Sequence, residues 1–178
     1  MKTVGNQLGA FSVMGVKPRA LSYDDSSFEV ITHESFAGKW KIIVFYPKDF
    51  TFVCPTEIVG YDALQEEFNV RNSVLMIGST DNEFCKIAWR NSDPQLAKTN
   101  SWMFADTAHI LANDLGIHHQ SGVALRATFV VDPNNVIQHL SVNGLDVGRN
   151  PDETLRILDA LQTGEKTACN RPLGGATL

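Results

Sequence analysis

One cysteine stands where an apolar strand gives way to an amphipathic helix, a position that can make a thiol reactive. The run WKIIVFY at 40–46 predicts a strand buried on both faces, and Pro47 ends it. Apolar residues then recur at helical spacing, so a helix is predicted to begin near 51–55 and to run to about Phe68. Cys54 therefore lies in a first helical turn, where free backbone N–H groups and the helix dipole favour the thiolate.

Two neighbours of this cysteine could influence its chemistry. Thr51 is either the cap of the helix or a hydroxyl that donates to whatever meets the sulfur. Pro55 removes one backbone donor, so the turn that holds Cys54 is predicted to open more easily than an ordinary first turn.

Strands and helices alternate along the chain. Such alternation predicts an α/β fold with a central mixed sheet that helices cover on both faces. Further strands are predicted at 28–31, 73–80, 126–132 and 136–142, and further helices at 83–91, 105–115 and 151–162. The first 27 residues predict a loop-rich opening with one short edge hairpin, 94–102 an irregular connection, and 163–178 a mobile tail.

Composition limits the class of protein. With 178 residues and 43% hydrophobic content, the chain predicts a single domain over 1–178. A net charge of −5 without a basic run argues against nucleic acid or an anionic membrane as partner. Because no stretch resembles a membrane span or a signal peptide, a cytoplasmic location is expected. Three cysteines without a C-x-x-C pair favour catalytic or redox use over structural disulfides or zinc.

A specific motif surrounds the reactive cysteine. The stretch PKDFTFVCPTE at 47–57 contains Pro-x-x-x-Thr-x-x-Cys and resembles the peroxiredoxins, in particular the AhpC-type (alkyl hydroperoxide reductase, 2-Cys) branch. The resemblance covers almost the whole chain after Thr32 and implies a thioredoxin-like fold. Its other segments follow the family's order: WR at 89–90, FADTAHILANDLGI from 104, GVALRATFVVDPNNVIQ from 122, VGRNPDETLRILDALQ from 147, and TACN at 167–170.

The resemblance implies a thiol-specific peroxidase that reduces hydrogen peroxide and organic hydroperoxides to water or alcohols. Cys54 would be the peroxidatic residue, Thr51 would donate to the peroxide, and Pro47 would shield the pocket from water. Arg126 opens an apolar strand, where a permanent charge needs an anionic partner, and the family places this arginine beside the sulfur. A solvent-facing arginine at the strand edge is the alternative.

The resemblance also assigns supporting residues. Glu57 and Arg149 occupy family positions of a carboxylate–guanidinium network behind the site, and Trp89 is placed in the same supporting group. Without the resemblance, the two charged residues would be interpreted as surface charge. Cys169, in the tail, takes the place of the resolving cysteine, which would join Cys54 of a partner subunit in an intersubunit disulfide.

The third cysteine has no counterpart in the motif. Cys85 shares a helical face with Ala88 and Trp89, so a buried structural thiol is predicted, with an additional redox partner as the alternative.

Cofactors and partners follow from the resemblance as well. It implies no metal, haem or flavin, and it implies an external dithiol reductant that is thioredoxin-like, AhpD-like or AhpF-like. It also implies a homodimer within a ring of dimers, a decamer or dodecamer. A thioredoxin-like disulfide oxidoreductase is disfavoured, because Thr51 stands where the first cysteine of a C-x-x-C ending at Cys54 would be. A holdase chaperone built from the same subunits is the other alternative.

Overall fold

A seven-stranded mixed sheet forms the centre of the protein, and the computed structural model describes all residues from 1 to 178. The strands are β1 (Ser12–Val16), β2 (Phe28–Thr32), β3 (Trp40–Phe45), β4 (Ser73–Ser79), β5 (Trp102–Ala105), β6 (Arg126–Val131) and β7 (Ile137–Asn143). The helices are α1 (Cys54–Asp62), α2 (Gln65–Val70), α3 (Glu83–Ser92), α4 (Ile110–Leu115) and α5 (Pro151–Gln162), with short 3-10 turns at Asp25–Ser27 and Leu96–Lys98.

The strand order is β2-β1-β5-β4-β3-β6-β7. Strand β4 runs parallel to both of its neighbours, β3 and β5. The remaining pairs are antiparallel, including β3 with β6. Strands β2 and β7 therefore form the two edges of the sheet.

The sheet separates two hydrophobic cores, because successive side chains of a strand point to opposite faces. In β3, Ile42 and Val44 face the core that includes α1, α2, α3 and α5. Ile43 and Phe45 face the other core, which α4 and the N-terminal segment cover. Burial on both faces explains the continuous apolar run of β3, and it confirms the predicted α/β fold with helices on both faces.

The helix predicted to reach Phe68 is interrupted and forms two helices, α1 and α2. Leu64, between them, has ψ of 8°, which departs from helical geometry. Asp62 fixes the end of α1, because its carboxylate accepts hydrogen bonds from the backbone N–H groups of Asn100 and Ser101, both at 2.8 Å. The change of direction still leaves Phe68 buried in the core that contains α1.

The sequence does not predict β5, and it places a helix over 105–115 that begins only at Ile110. The four residues WMFA are too few to show a strand period. The carboxylate of Asp106 instead stabilises the first turn of α4, because it accepts from the N–H groups of Leu111 and Ala112 at 3.1 and 2.7 Å. Gly116, with φ of 73°, ends α4 as predicted.

Both ends of the chain are more closely packed than the sequence suggests. The short edge hairpin predicted within the first 27 residues is wrong, because this part of the chain contains one strand, β1, which lies inside the sheet between β2 and β5. The tail at 163–178 folds back on α5, where the buried Arg171 pairs with Asp159 at 2.7 Å.

None of the helices combines the length and apolar character that crossing a membrane requires.

Candidate active site

Cys54 is the first residue of α1, and only 1% of its surface is exposed. The chain leaves β3 at Phe45, passes through the buried Pro47, and enters α1 at this cysteine. The thiol thus lies at a helix N-terminus, as predicted, where free N–H groups and the helix dipole stabilise an anion.

Thr51 does not cap this helix. Its hydroxyl donates to the carbonyl oxygen of Lys48 at 2.9 Å, while Val53 occupies the cap position without a side-chain capping bond. The prediction that Pro55 weakens the turn is also wrong. Because Pro55 lies in the first turn, its missing N–H would have had no helical acceptor, so no helical hydrogen bond is lost.

Arg126 lies directly beside the sulfur. Antiparallel pairing of β6 with β3 sets Ala127 opposite Phe45, which brings the preceding Arg126 to the end of β3 from which the chain proceeds to α1. Its Nη1 is 3.4 Å from Cys54 Sγ and 2.7 Å from Glu57 Oε2. Its Nε donates to the carbonyl oxygen of Leu145 at 2.7 Å, which fixes the plane of the guanidinium. The alternative of a solvent-facing arginine is therefore wrong.

Glu57 and Arg149 form the predicted network one helical turn beyond the thiol. Arg149 donates from Nε to Glu57 Oε1 at 2.8 Å and from Nη2 to Oε2 at 3.0 Å, a bidentate pair. Its backbone N–H also donates to Oε1 at 3.0 Å, and its Nη1 donates to the carbonyl oxygen of Ala127 at 2.7 Å. The carboxylate of Glu57 therefore joins Arg126 and Arg149, and the side chains of all three are buried.

The ionisation of this network follows from two opposing effects. Burial disfavours the charge of Glu57, but hydrogen bonds and charges from Arg149 and Arg126 outweigh it, so the pKa of Glu57 lies below its ordinary value. Burial likewise opposes the charge of Arg126, yet its hydrogen bonds to Cys54 and Glu57 raise the pKa of the guanidinium. Arg126 thus contacts the sulfur directly, and Glu57 links it to the second cation, Arg149.

Trp89 supports the site from α3. It is buried, and its ring centroid lies 6.0 Å from that of Tyr46 and 5.7 Å from that of Phe50. Phe50, in the loop that leads to Cys54, has φ of 55°, a left-handed conformation that is uncommon for an aromatic residue. The ring contacts of Trp89 are therefore with Tyr46 and with the loop that leads to Cys54.

The predicted burial of Cys85 is wrong. Lys86, Ile87, Trp89 and Arg90 form the buried face of α3, whereas Cys85 is only half-buried. Partial burial together with the nearby carboxylates of Asp49 and Asp81 raises the pKa of the Cys85 thiol. These surroundings disfavour a nucleophilic thiolate at Cys85.

Cys169 is exposed and unbonded in the tail after α5. It lies in a turn closed by a hydrogen bond from the N–H of Arg171 to the carbonyl oxygen of Ala168 at 3.3 Å. The structure of the single chain does not bring Cys169 and Cys54 together as a disulfide. The sequence assigns Cys169 to a partner subunit's site, and this role stays a prediction.

A second buried ion pair near the site is not evident from the sequence. Lys86 Nζ lies 3.2 Å from Asp49 Oδ1, and both side chains are almost fully buried. A lysine on a helix normally indicates a solvated face, and only its position one residue before the buried Ile87 could have suggested otherwise.

The fold and the site together define a class of protein. A central mixed sheet places one buried cysteine at a helix N-terminus, with an arginine from a neighbouring strand against its sulfur. Proteins with this arrangement use a single activated thiol as a nucleophile.

Comparisons with known proteins narrow this class to one family. The model of the AhpC/TSA family matches residues 4–140. Alkyl hydroperoxide reductase C of Mycolicibacterium smegmatis is 42% identical over 181 aligned positions, which cover 99% of this chain and 93% of that protein. The solved structure of Mycobacterium tuberculosis AhpC superposes with a TM-score of 0.87 at 39% identity and covers 94% of this chain and 97% of that one. Reduced Plasmodium vivax 2-Cys peroxiredoxin gives a TM-score of 0.89 at 31% identity, with 99% and 93% covered.

The chain belongs to the AhpC/TSA family. Its fold is the thioredoxin-like fold of the peroxiredoxins, and its activity is that of a thiol-dependent peroxidase. The resemblance identified in the sequence is therefore confirmed.

Proposed function

We propose that Cys54 is the peroxidatic cysteine and that Thr51, Arg126 and Pro47 form its peroxide site. The observation that supports this assignment is the 3.4 Å contact between Arg126 Nη1 and Cys54 Sγ. The buried cluster contains two guanidiniums but only one carboxylate, that of Glu57. A thiolate at Cys54 provides the missing negative charge, and an unbalanced buried charge is strongly unfavourable.

In the first step, the thiolate sulfur attacks the terminal oxygen of the hydroperoxide. An S–O bond forms as the O–O bond breaks, and the alkoxide or hydroxide that leaves takes up a proton to become an alcohol or water. Arg126 stabilises the negative charge as it moves from sulfur to the leaving oxygen. The thiol is oxidised to a sulfenic acid.

In the second step, Cys169 of a second subunit attacks the sulfenic sulfur. An S–S bond forms, the S–O bond breaks, and hydroxide leaves and is protonated to water. A disulfide requires Cα atoms within about 7 Å, and the thiol of Cys54 is buried, so the first turn of α1 has to open between the two steps.

The β7 edge supports the placement of two subunits side by side. An exposed edge strand offers unpaired backbone N–H and C=O groups to another chain. The beginning of the tail lies at the same edge, since Gln138 and His139 of β7 line one groove with Glu165 and Thr167. Pairing of two β7 strands would bring each tail to the neighbouring subunit. A ring of such dimers rests on the family resemblance.

An external dithiol protein completes the cycle by reducing the intersubunit disulfide to two thiols and becoming oxidised itself. The chain has cysteines only at 54, 85 and 169, so it carries no C-x-x-C pair for this reaction. We place the reaction in the cytoplasm, where thioredoxin-like reductants maintain thiols.

Serine variants of the three cysteines test these roles. Cys54→Ser is expected to abolish peroxide consumption, and Cys169→Ser is expected to allow one oxidation but no disulfide-linked dimer on a non-reducing gel. Cys85→Ser is the matched control and should behave as wild type, because its thiol has a raised pKa and makes no described contact with Cys54. Turnover that survives in Cys54→Ser would contradict the first assignment, and a dimer that survives in Cys169→Ser but not in Cys85→Ser would transfer the resolving role to Cys85.

A further inference from the structure

A fully buried lysine lies close to the loop that leads to Cys54 without belonging to the peroxide site. Lys86 Nζ donates to Ser79 Oγ at 2.8 Å, to Asp49 Oδ1 at 3.2 Å and to Tyr46 OH at 3.3 Å. Its side chain has no exposed surface. A buried ammonium is costly unless it is paired and hydrogen-bonded, so these partners have to be held in place.

Asp49 is the centre of this network. Its carboxylate also accepts from the hydroxyls of Tyr46 at 2.7 Å and Ser79 at 3.0 Å, and its backbone N–H donates to Asp81 Oδ2 at 2.8 Å. Burial and the charge of Asp49 raise the pKa of Tyr46, which keeps its hydroxyl as a donor. The ends of β3 and β4 and the helix α3 thus all fix the position of Asp49.

The residues that follow Asp49 have far fewer contacts. Phe50 and Phe52 are 56% and 96% exposed, and Thr51 makes its side-chain hydrogen bond within the loop, to Lys48. Apart from Cys54 itself, which is buried beside Arg126, firm anchoring resumes only at Glu57, which Arg126 and Arg149 hold. Cys54 therefore lies on a short segment, 50–56, with a buried ion pair at each end.

We propose that Lys86 is a positioning residue for the peroxidase reaction. Through Asp49 it fixes the upstream end of the segment 50–56, and this sets the places of Thr51 and Cys54 while the first turn is closed. It also confines the opening of that turn to residues after Asp49. The proposal rests on the assignment of Cys54 as the peroxidatic residue.

Lys86→Met tests this role, because methionine fills similar space without a charge. The second-order rate of peroxide reduction, followed by stopped-flow tryptophan fluorescence, is expected to fall about 10- to 100-fold, since small misplacements of reacting groups have effects of this size. Alkylation of Cys54 by neutral iodoacetamide, in a Cys85→Ser/Cys169→Ser background, should become several-fold faster because a loosened segment exposes the thiol. General destabilisation can also slow peroxide reduction and expose the buried Cys54, so a variant of an equally buried lysine away from the site is needed to separate the two effects.

Lys41→Met is the matched control. Lys41 is equally buried, at 1% exposure, but it lies at the beginning of β3 and donates to Asn135 Oδ1 at 2.7 Å, away from the site. This variant should lose stability and leave both rates unchanged. The same changes in Lys41→Met, or wild-type rates in a folded Lys86→Met, would overturn the proposal.

A second variant covers the case in which Lys86→Met does not fold. Asp49→Asn/Lys86→Gln removes both charges but keeps groups that can hydrogen-bond. Slower peroxide reduction and faster alkylation of Cys54 are again expected, but both changes should be smaller than in Lys86→Met. Wild-type rates in this folded double variant would also overturn the proposal. Cys54→Ser in the same assay tests the peroxidatic role of Cys54 separately from the positioning role of Lys86. Turnover in Cys54→Ser would contradict the proposed function, whereas the Lys86 variants test only how fast peroxide reduction and alkylation proceed.

Discussion

At the scale of single residues, the site is a buried arrangement of charges in which each member depends on another. Arg126 contacts both the sulfur and Glu57, and Glu57 in turn holds Arg149. The side chains of the three charged residues are between 3% and 5% exposed, so water screens them little. Removal of Glu57 therefore leaves both guanidiniums buried without a carboxylate partner.

Glu57→Gln is expected to destabilise the protein by about 3–5 kcal/mol at pH 7, the usual cost of breaking a buried ion pair. Because the pKa of Glu57 in the folded protein lies below the ordinary 4.5, its stabilising effect is complete above pH 4.5 and is lost as the pH falls below that value. The difference between variant and wild type should therefore shrink in acid. Urea unfolding at pH 7 and at pH 4 measures both effects.

Glu67→Gln serves as the control for this experiment. Glu67 pairs with Arg71 at 2.6 Å on the surface, with its side chain 52% exposed, and such a pair contributes only about 0–1 kcal/mol. If Glu57→Gln changes stability as little as Glu67→Gln at pH 7, the buried network does not stabilise the folded site as argued.

At the scale of elements, the entrance to α1 combines a fixed sheet with a loosely held loop. Strand β3 is buried along its length, whereas Phe52, just before the helix, is 96% exposed. Val53 gives the helix no side-chain cap. Apart from the contacts of Cys54 itself, opening of the first turn thus breaks few buried contacts, although Pro55 is not the reason.

We therefore expect an enzyme that resists over-oxidation. A second peroxide can convert the sulfenic acid of Cys54 to sulfinic acid only if it arrives before the resolving thiol, and easy opening shortens that interval. Mass spectrometry of protein that cycles with reductant should detect sulfinic Cys54 only at high peroxide concentrations. Cys169→Ser, which lacks the resolving thiol, should accumulate it at low concentrations; equal accumulation in wild type would mean that the turn is held closed.

The sequence predicts elements well where one pattern dominates. The bounds of α5 follow from a clear helical period and those of β3 from a continuous apolar run, and the motif around Cys54 indicates the position of the thiol correctly. Strand β5 is not predicted, because its four residues are too few to show a period. The buried face of α3 is not predicted either, because it contains the charged residues Lys86 and Arg90. Burial of a lysine depends on partners from other elements, such as Asp49, and no local pattern reveals them.

At the scale of the whole molecule, the two edges of the sheet differ in their surroundings. Strand β2 lies beside the 3-10 turn Asp25–Ser27, and the ring of Phe28 contacts that of Phe84 at 5.4 Å. Strand β7 lies beside the tail that carries Cys169 and is partly exposed over most of its length. If Cys169 resolves the sulfenic acid of a partner subunit, as proposed, a second copy has to lie near that tail, so β7 is the edge at which two copies are expected to pair.

Amide hydrogen exchange tests this pairing with an internal control. If two β7 strands pair, alternate amides of Ile137–Asn143 that have no acceptor within one chain should exchange slowly, whereas the outward amides of Phe28–Thr32 in β2 should exchange fast. Dilution that separates the dimer, followed by light scattering, should remove the protection in β7 alone. Fast exchange in β7 of a protein that remains dimeric would place the interface elsewhere.

The origin of the site from distant parts of the chain also affects biosynthesis. Arg126 follows Cys54 by 72 residues, and the ribosome releases the chain from its N-terminus. A growing chain therefore presents Cys54 to the cell before Arg126, its neighbour in the folded site, has been made. Only when β6 pairs with β3 does the thiol acquire its charged neighbour, so, with the proposed roles, we expect unfinished chains to react with peroxide more slowly than the folded protein.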